Sequence, residues 1–100
     1  MDYQRFDHAS EIEIRLSGTF TFDDQMVARE LMREVVADEK SSVTYNLAAM
    51  TAIDSSGIGL ILMLNDRLGK AGKTFRITGA TGVVADALRH AKIGEIIDVS

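Results

Sequence analysis

The residues with the clearest chemical potential lie in one short stretch. Ile53-Asp54-Ser55-Ser56-Gly57-Ile58-Gly59 places an acid and two serines directly before a run of apolar residues. A serine in such a place can act as a nucleophile, can cap a helix, or can itself be modified. The spacing of the surrounding residues and the predicted elements discriminate among these three uses.

Nucleophilic catalysis fits this stretch poorly. The nucleophile elbow of hydrolases, G-x-S-x-G, needs a glycine two residues before the serine. That position is occupied by Ile53 in the case of Ser55, and by Asp54 in the case of Ser56. Neither serine therefore matches the pattern.

A general base for either serine is also missing from the sequence pattern. The only histidines are His8 and His90, and no spacing brings them to the serines. His90 lies near the end of a predicted helix, where an imidazole interacts favourably with the helix dipole at the surface. We therefore predict that the protein is not an enzyme.

Phosphate-loop and metal patterns are incomplete. Gly72-Lys73-Thr74 resembles the end of a Walker motif, but Arg67 stands where that motif needs its first glycine. The residues that follow favour a strand, whereas the motif needs a helix there. The aspartates do not have the spacing of metal ligands. We predict no cofactor and no metal.

Composition limits the protein class. The 100 residues suffice for one domain, residues 1–100, and 46% of them are apolar, unlike a disordered tail. Cysteine is absent, and a net charge of −4 without a basic stripe argues against nucleic-acid binding. The longest apolar run, Ile58–Leu64, is too short to span a bilayer, and the first residues do not have the pattern of a signal peptide. We therefore expect a cytoplasmic protein that does not insert into a membrane.

The predicted elements follow the order ββαβαβαβ. Period-two alternation marks Glu11 to Leu16 as a strand ended by Gly18, with a weaker strand before it. Helical spacing of apolar residues predicts three helices, and short β-branched runs predict the strands between them. The remaining predicted strands are Val43–Leu47, Thr74–Thr78 and Glu95–Val99. Strand–helix–strand units favour parallel pairing, so we expect an α/β fold with a mixed sheet covered by helices.

The second predicted helix, from about Ser56 to Lys70, is unusually apolar at its start. At 100° per residue, the core face would be formed by Leu60, Ile61, Leu64, Leu68 and Ala71. Ile58, Leu62 and Met63 then lie beside or opposite that arc. A helix with apolar residues on nearly every side is either fully buried or contacts a partner. The pattern favours a partner surface that contains Ile58, Leu62 and Met63.

A phosphate at the start of this helix is physically reasonable. Asp54 or Ser55 can cap the helix, which contributes about 1 kcal/mol. A phosphoserine adds about −1.5 to −2 charges at pH 7, and a helix N-terminus can hold such an anion. The fold should therefore tolerate the modification, whereas an apolar or acidic partner surface would not.

These residues resemble the signature of a known family. Ile53–Gly59, followed by Leu60-Ile61-Leu62, is similar to the STAS domain, and more narrowly to the bacterial anti-sigma factor antagonists. Supporting matches along nearly the whole chain are Arg15–Gly18, Gly72, Phe75–Ile77, Leu88, Ile93-Gly94 and Ile96–Val99. The resemblance implies a STAS-like fold with four to five strands and three to four helices.

The resemblance also implies a phosphorylation switch. Ser55, directly after Asp54, would be phosphorylated by a serine kinase of the histidine-kinase-like ATPase fold, so ATP would belong to that kinase. The unphosphorylated chain would bind this anti-sigma-type partner, and phosphorylation would release it. A serine phosphatase of the PP2C type would restore binding. In this scheme Ser56 is a second possible acceptor, and Gly57 and Gly59 allow close approach of a partner.

One departure from the family concerns a second acid. Members often carry it a few residues after the glycine of the second strand, whereas here Thr21 stands near that position. Asp23 and Asp24 follow slightly later. We therefore count Thr21 and Asp23 as part of the environment of the phosphorylation site. The departure also agrees with a pathway output other than a sigma factor, such as biofilm or stress signalling.

A second function stays open. Some STAS domains are constitutive subunits of lipid- or anion-transport assemblies and are not phosphorylated. An intact serine beside Asp54 favours the switch but does not exclude that role.

Overall fold

Five strands and three α-helices form the chain in the order predicted from sequence. The structure is a computed structural model and describes residues 1–100. The strands are β1 (Asp2–Asp7), β2 (Glu11–Phe20), β3 (Ser42–Ile53), β4 (Thr74–Thr78) and β5 (Asp98–Val99). The helices are α1 (Gln25–Ala37), α2 (Ser55–Lys70) and α3 (Gly82–His90), and two short 3-10 turns cover Phe22–Asp24 and Ile93–Glu95. The prediction of an α/β fold is confirmed.

The strands form one mixed sheet in sequence order. β1 pairs antiparallel with β2, and β2, β3, β4 and β5 pair in parallel. Each crossover therefore moves one strand further in the same direction. Crossovers of one hand and one direction place their helices on the same face of the sheet. α1, α2 and α3 accordingly form a single layer over the sheet.

The two faces of the sheet differ in polarity, as this single layer requires. Ile14, Tyr45 and Ile77 are register partners on adjacent strands, and all three are buried under the helices. One residue earlier on each strand, Glu13, Thr44 and Arg76 carry polar side chains on the opposite face. Alternation of this kind is expected of a sheet with one covered face.

Side chains on the open face form an ion-pair network around Glu13. Its carboxylate accepts hydrogen bonds from Arg15 Nε at 3.0 Å and from Asn46 Nδ2 at 3.2 Å, and it lies 3.2 Å from His8 Nε2. The Arg15 guanidinium first, and then the His8 ring, hold the pKa of Glu13 at about 2. The open face is therefore charged but internally paired.

Two strands run further than the sequence predicted. Gly18 does not end β2, because its φ of 80° fits a register irregularity inside the strand. β2 continues to Phe20, and β3 continues to Ile53, which is the register partner of Phe20. These extensions reach past the end of β4 and bring the turns after β2 and β3 together.

Two other boundaries correct the predictions near the amino end of the sheet. The last strand is Asp98–Val99 alone, because Ile93–Glu95 forms a 3-10 turn in the segment expected to start that strand. Ala71 is exposed at the end of α2 and does not join the core face, whereas Leu60, Ile61, Leu64 and Leu68 are buried there as predicted. No helix has the length and apolar character that crossing a membrane requires.

Candidate functional site

The predicted phosphorylation site lies where α2 begins. Asp54 is the N-cap, with extended backbone angles, and its Oδ1 accepts a hydrogen bond from the Gly57 backbone N–H at 2.9 Å. Sequence left Asp54 and Ser55 as alternative caps, and the structure assigns the cap to Asp54. A side-chain acceptor at this position satisfies one of the free N–H groups of the first turn.

Asp54 also contacts the turn after β2. Its second carboxylate oxygen, Oδ2, accepts a hydrogen bond from the backbone N–H of Phe22 at 3.1 Å. The Asp54 N–H itself donates to the carbonyl oxygen of Phe20 at 3.2 Å. One residue therefore joins the ends of two neighbouring strands at the carboxyl edge of the sheet, where ligands of parallel sheets usually bind.

The serines differ in exposure. Ser55 is the first residue of α2 and its side chain is exposed, while Ser56 is half-buried. Both histidines lie at the opposite end of the sheet. His8 is in the turn before β2, and His90 is the last residue of α3. Ser55 is thus accessible to another protein but has no imidazole beside it.

The three polar residues of the turn after β2, Thr21, Asp23 and Asp24, have different surroundings. Asp24 Oδ2 accepts a hydrogen bond from the Thr21 N–H at 2.8 Å, and Asp24 Oδ1 accepts one from the α-amino group of Met1 at 2.7 Å. The Met1 amino group first, and then the Thr21 N–H, hold the pKa of Asp24 below its usual range. Asp23 is exposed. Thr21 and Asp24 therefore stabilise the turn. Asp23 is the solvent-exposed acid of this turn, and it follows Phe22, whose N–H donates to Asp54.

The two glycines near the site have different surroundings. Gly57 is buried, and a Cβ there would lie 2.4 Å from the Phe20 carbonyl oxygen and 2.8 Å from Ile53 Cγ1. Its close approach is therefore to its own chain, which corrects the expectation that a partner approaches Gly57. Gly59 is exposed, and a Cβ there would meet no atom within 4 Å.

The predicted apolar surface on α2 is less exposed than expected. Ile58, Leu62 and Met63 are half-buried and pack against the edge of the core. Met63 Sδ lies 3.8 Å from Arg29 Nη1, which places this side chain against α1. Helical spacing showed that these residues lie outside the core face of α2. It could not show that neighbouring elements partly bury them.

Two apolar residues beside the site were not predicted from sequence. Phe22 is 66% exposed in the 3-10 turn before α1, and Met26 is 76% exposed in the first turn of α1. A signal was present in the sequence, because neither residue has the spacing of the buried stripe of α1: Ala28, Leu31, Met32 and Val35. Their proximity to Ser55 depends on the pairing of β2 with β3, which local spacing does not reveal.

Comparison with protein families decides the membership of this chain. A family model described as "Mlab, STAS domain" matches residues 5–98. The chain is a STAS domain. The matched residues 5–98 contain all three helices and all or part of each of the five strands. The match therefore extends far beyond the Asp54–Gly59 motif.

Solved structures with the same fold include anti-sigma factor antagonists and a sulfate transporter family protein. This STAS domain is similar to an anti-sigma factor antagonist from Mycobacterium paratuberculosis, with a TM-score of 0.88 and 16% identity over 98% of this chain and 83% of that one. For the anti-sigma factor antagonist SpoIIAA in its unphosphorylated form, the TM-score is 0.81 with 16% identity over 99% and 88% of the two chains. For a sulfate transporter family protein from Wolinella succinogenes, the TM-score is 0.77 with 15% identity over 90% of this chain and 75% of that one. No curated protein matches the chain in sequence.

Proposed function

We propose that this STAS domain is a regulatory binding protein controlled by phosphorylation of Ser55. The observation that carries the proposal is the exposed Ser55 side chain at the first position of a helix capped by Asp54. A kinase can reach this hydroxyl group without disturbing any buried residue. The likeness to anti-sigma factor antagonists supports a bacterial partner-switching role. SpoIIAA, a Bacillus protein of this fold, has also been solved in a phosphorylated form.

The proposed reaction takes place in a complex with a serine kinase of the histidine-kinase-like ATPase fold. The Ser55 Oγ attacks the γ-phosphorus of ATP, and the bond from that phosphorus to the β–γ bridging oxygen breaks. ADP is the leaving group and is still bound to the kinase at this stage, and a base of the kinase takes the hydroxyl proton. This chain contributes the acceptor and its position, while ATP and the catalytic groups belong to the kinase.

Phosphorylation then ends the binding through charge and volume. The phosphate adds about −1.5 to −2 charges at pH 7 beside the nucleotide phosphates that the kinase holds at this point. The backbone N–H groups at the start of α2 can accommodate the anion, so the domain stays folded. A PP2C-type phosphatase would regenerate the binding form by directing water onto the phosphoserine and releasing inorganic phosphate.

Intact mass spectrometry of the protein purified from its own cells tests this function. We expect one phosphate, mapped to Ser55, which disappears when the kinase is deleted and in Ser55→Ala. Ser56→Ala is the matched control, because Ser56 is half-buried in the same turn and should leave the phosphate in place. The proposal is wrong if no phosphate appears and Ser55→Asp leaves partner binding unchanged.

A second candidate is a constitutive subunit of a lipid- or anion-transport assembly. The structural likeness to a sulfate transporter family protein favours it. In that role the domain should stay bound to its assembly whether residue 55 is Ser, Ala or Asp. The same three proteins therefore distinguish the two functions in one pull-down experiment.

A further inference from the structure

Phe22 and Met26 are two of the most exposed apolar side chains of the chain, and they lie in the turn before α1 and in the first turn of α1, next to the start of α2. They are four residues apart in sequence, and 66% and 76% of their surfaces are exposed. Single exposed apolar residues are common in soluble proteins. Two large ones at successive turns beside a site that must receive another protein are typical of an interface.

The placement of this pair relative to Ser55 follows from two contacts between neighbouring elements. Near the start of α2, the Phe22 N–H donates to Asp54 at 3.1 Å. Two turns later, Arg29 of α1 reaches Met63 of α2 at 3.8 Å. α1 and α2 run in the same direction, because each connects two parallel strands. Met26 therefore lies between the two contacts along α1.

Gly59 occupies the corresponding position along α2. It lies between Ser55 and Met63, and it is exposed with open space above its Cα. A partner surface can therefore come close to the α2 backbone while it contacts Phe22 and Met26 on the neighbouring element. Gly59 thus adds no side chain to the surface of α2 one turn after the exposed Ser55.

The unpaired side-chain charges close to Ser55 on this surface are acidic, because the Met1 α-amino group is paired with Asp24 and Arg29 lies one turn beyond Met26, against Met63. No lysine or arginine occurs in residues 16–28, 41–66 or 77–88, the segments that contain the carboxyl ends of β2, β3 and β4 and the first turns of the helices. Asp23 and Asp54 lie in two of these segments, and Asp23 is exposed. A complementary surface would combine an apolar depression for the two side chains with basic residues at its border.

We infer that Phe22 and Met26 form the docking surface for the serine kinase that phosphorylates Ser55, and that the kinase offers them an apolar pocket with a basic rim. This inference rests on the proposed function, because it identifies the occupant as that kinase. The hydrogen bond from the Phe22 N–H to Asp54 holds the Phe22 backbone next to the residue that precedes Ser55.

The test uses the full chain and each serine kinase of the histidine-kinase-like ATPase fold, purified from the same organism. Phe22→Ser combined with Met26→Ser should weaken binding at least tenfold and lower kcat/KM for phosphorylation to a similar extent. Ile96→Ser is the matched control. Ile96 is 59% exposed, but it lies after α3 at the other end of the sheet and should leave binding within twofold of the wild type.

Charge complementarity is tested separately with Asp23. Asp23→Lys should weaken kinase binding, and raising the KCl concentration from 50 to about 500 mM should weaken wild-type binding. Unchanged or stronger binding of Asp23→Lys would overturn the assignment of a basic rim. Circular dichroism of each variant shows whether it is folded before binding is compared, and Met26→Gln alone replaces the double variant if that one unfolds.

The outcomes separate the surface from the function. If the wild type is bound and phosphorylated by a kinase and the double variant behaves identically, the surface is wrong and the switch stands. If the wild type is neither bound nor phosphorylated by any of the kinases, the proposed function and this surface both fail. If sedimentation shows a dimer that the double variant loses, the surface binds a second copy of the chain and the inference is overturned.

Discussion

The Asp54 carboxylate accepts a hydrogen bond from the backbone N–H of Phe22, 32 residues earlier in sequence, at 3.1 Å. The other oxygen of the same carboxylate accepts from the Gly57 N–H at 2.9 Å. Asp54 thus caps α2 and also connects it to the turn that precedes α1. The acid before Ser55 therefore has a structural role that is independent of any phosphate.

Substitutions of Asp54 should separate its two hydrogen bonds. Asp54→Ala loses both and should lower the free energy of unfolding by about 0.5–2 kcal/mol, which is usual for a lost N-cap. Asp54→Asn keeps one acceptor oxygen, which can maintain the cap on Gly57, but its NH2 group cannot accept from the Phe22 N–H, so its stability should fall between those of the wild type and Asp54→Ala. Urea denaturation measures both changes.

Hydrogen exchange of the Phe22 amide reports the second bond directly. We expect faster exchange in Asp54→Ala than in the wild type, because the amide loses its acceptor. Asp23→Ala is the control, since Asp23 is exposed in the same turn. Unchanged exchange at Phe22 in Asp54→Ala would contradict the connection between the two elements.

Charge at residue 55 should not unfold the domain. Ser55 is the first residue of α2, where a negative side chain interacts favourably with the helix dipole by about 0.3–1 kcal/mol. Neighbouring Asp54 offsets part of this by repulsion. We expect the free energy of unfolding of Ser55→Asp to equal or slightly exceed that of the wild type in urea denaturation. A loss above about 1 kcal/mol would show that a change in binding by Ser55→Asp reflects unfolding.

Stability should depend on pH through Glu13. Its pKa in the folded protein is about 2, below the ordinary value of 4.5, because Arg15 and then His8 favour the ionised form. A group whose pKa is lower in the folded state stabilises the fold above its unfolded pKa. The contribution of Glu13 is therefore present above about pH 4.5 and is lost as the pH falls towards 2.

Glu13→Gln tests this dependence. In urea denaturation, the variant should be less stable than the wild type at pH 6, and the difference should shrink between pH 4.5 and 2. Glu39→Gln is the control, because Glu39 is an exposed acid after α1 and should show a smaller difference. A constant difference at every pH would show that the carboxylate charge is not the cause.

The sequence predicted the features that local patterns determine. Helical spacing identified the buried residues Leu60, Ile61, Leu64 and Leu68 of α2, and the order of the elements predicted the parallel sheet. The predicted location of the site at the start of α2 agrees with the observed helix boundary. That Ser55 accepts a phosphate stays a prediction.

Features that depend on contacts distant in sequence were missed. Gly18 looked like the end of a strand, because sequence does not show that a positive φ continues the pairing to Phe20. The exposure of Phe22 and the partial burial of Met63 are set by which elements lie beside them. A periodic pattern shows which side of a helix is apolar, but not what covers the other sides.

The two glycines of the α2 motif should respond in opposite ways to the same substitution. Gly57→Ala would place a methyl group 2.4 Å from the Phe20 carbonyl oxygen, a backbone atom that cannot move aside alone. Crowding of this kind lowers the free energy of unfolding by about 1–3 kcal/mol. Gly59→Ala has open space and should gain up to about 1 kcal/mol from the higher helix propensity of alanine.

Urea denaturation of both variants measures this contrast, and each is the control for the other because the added group is identical. A binding measurement adds a second contrast at Gly59. Gly59→Glu should leave the domain folded, since nothing lies within 4 Å of the new side chain's first atom, but should weaken kinase binding if the partner approaches the helix there. Equal destabilisation by Gly57→Ala and Gly59→Ala would show that helix propensity, and not the contact with Phe20, governs this motif.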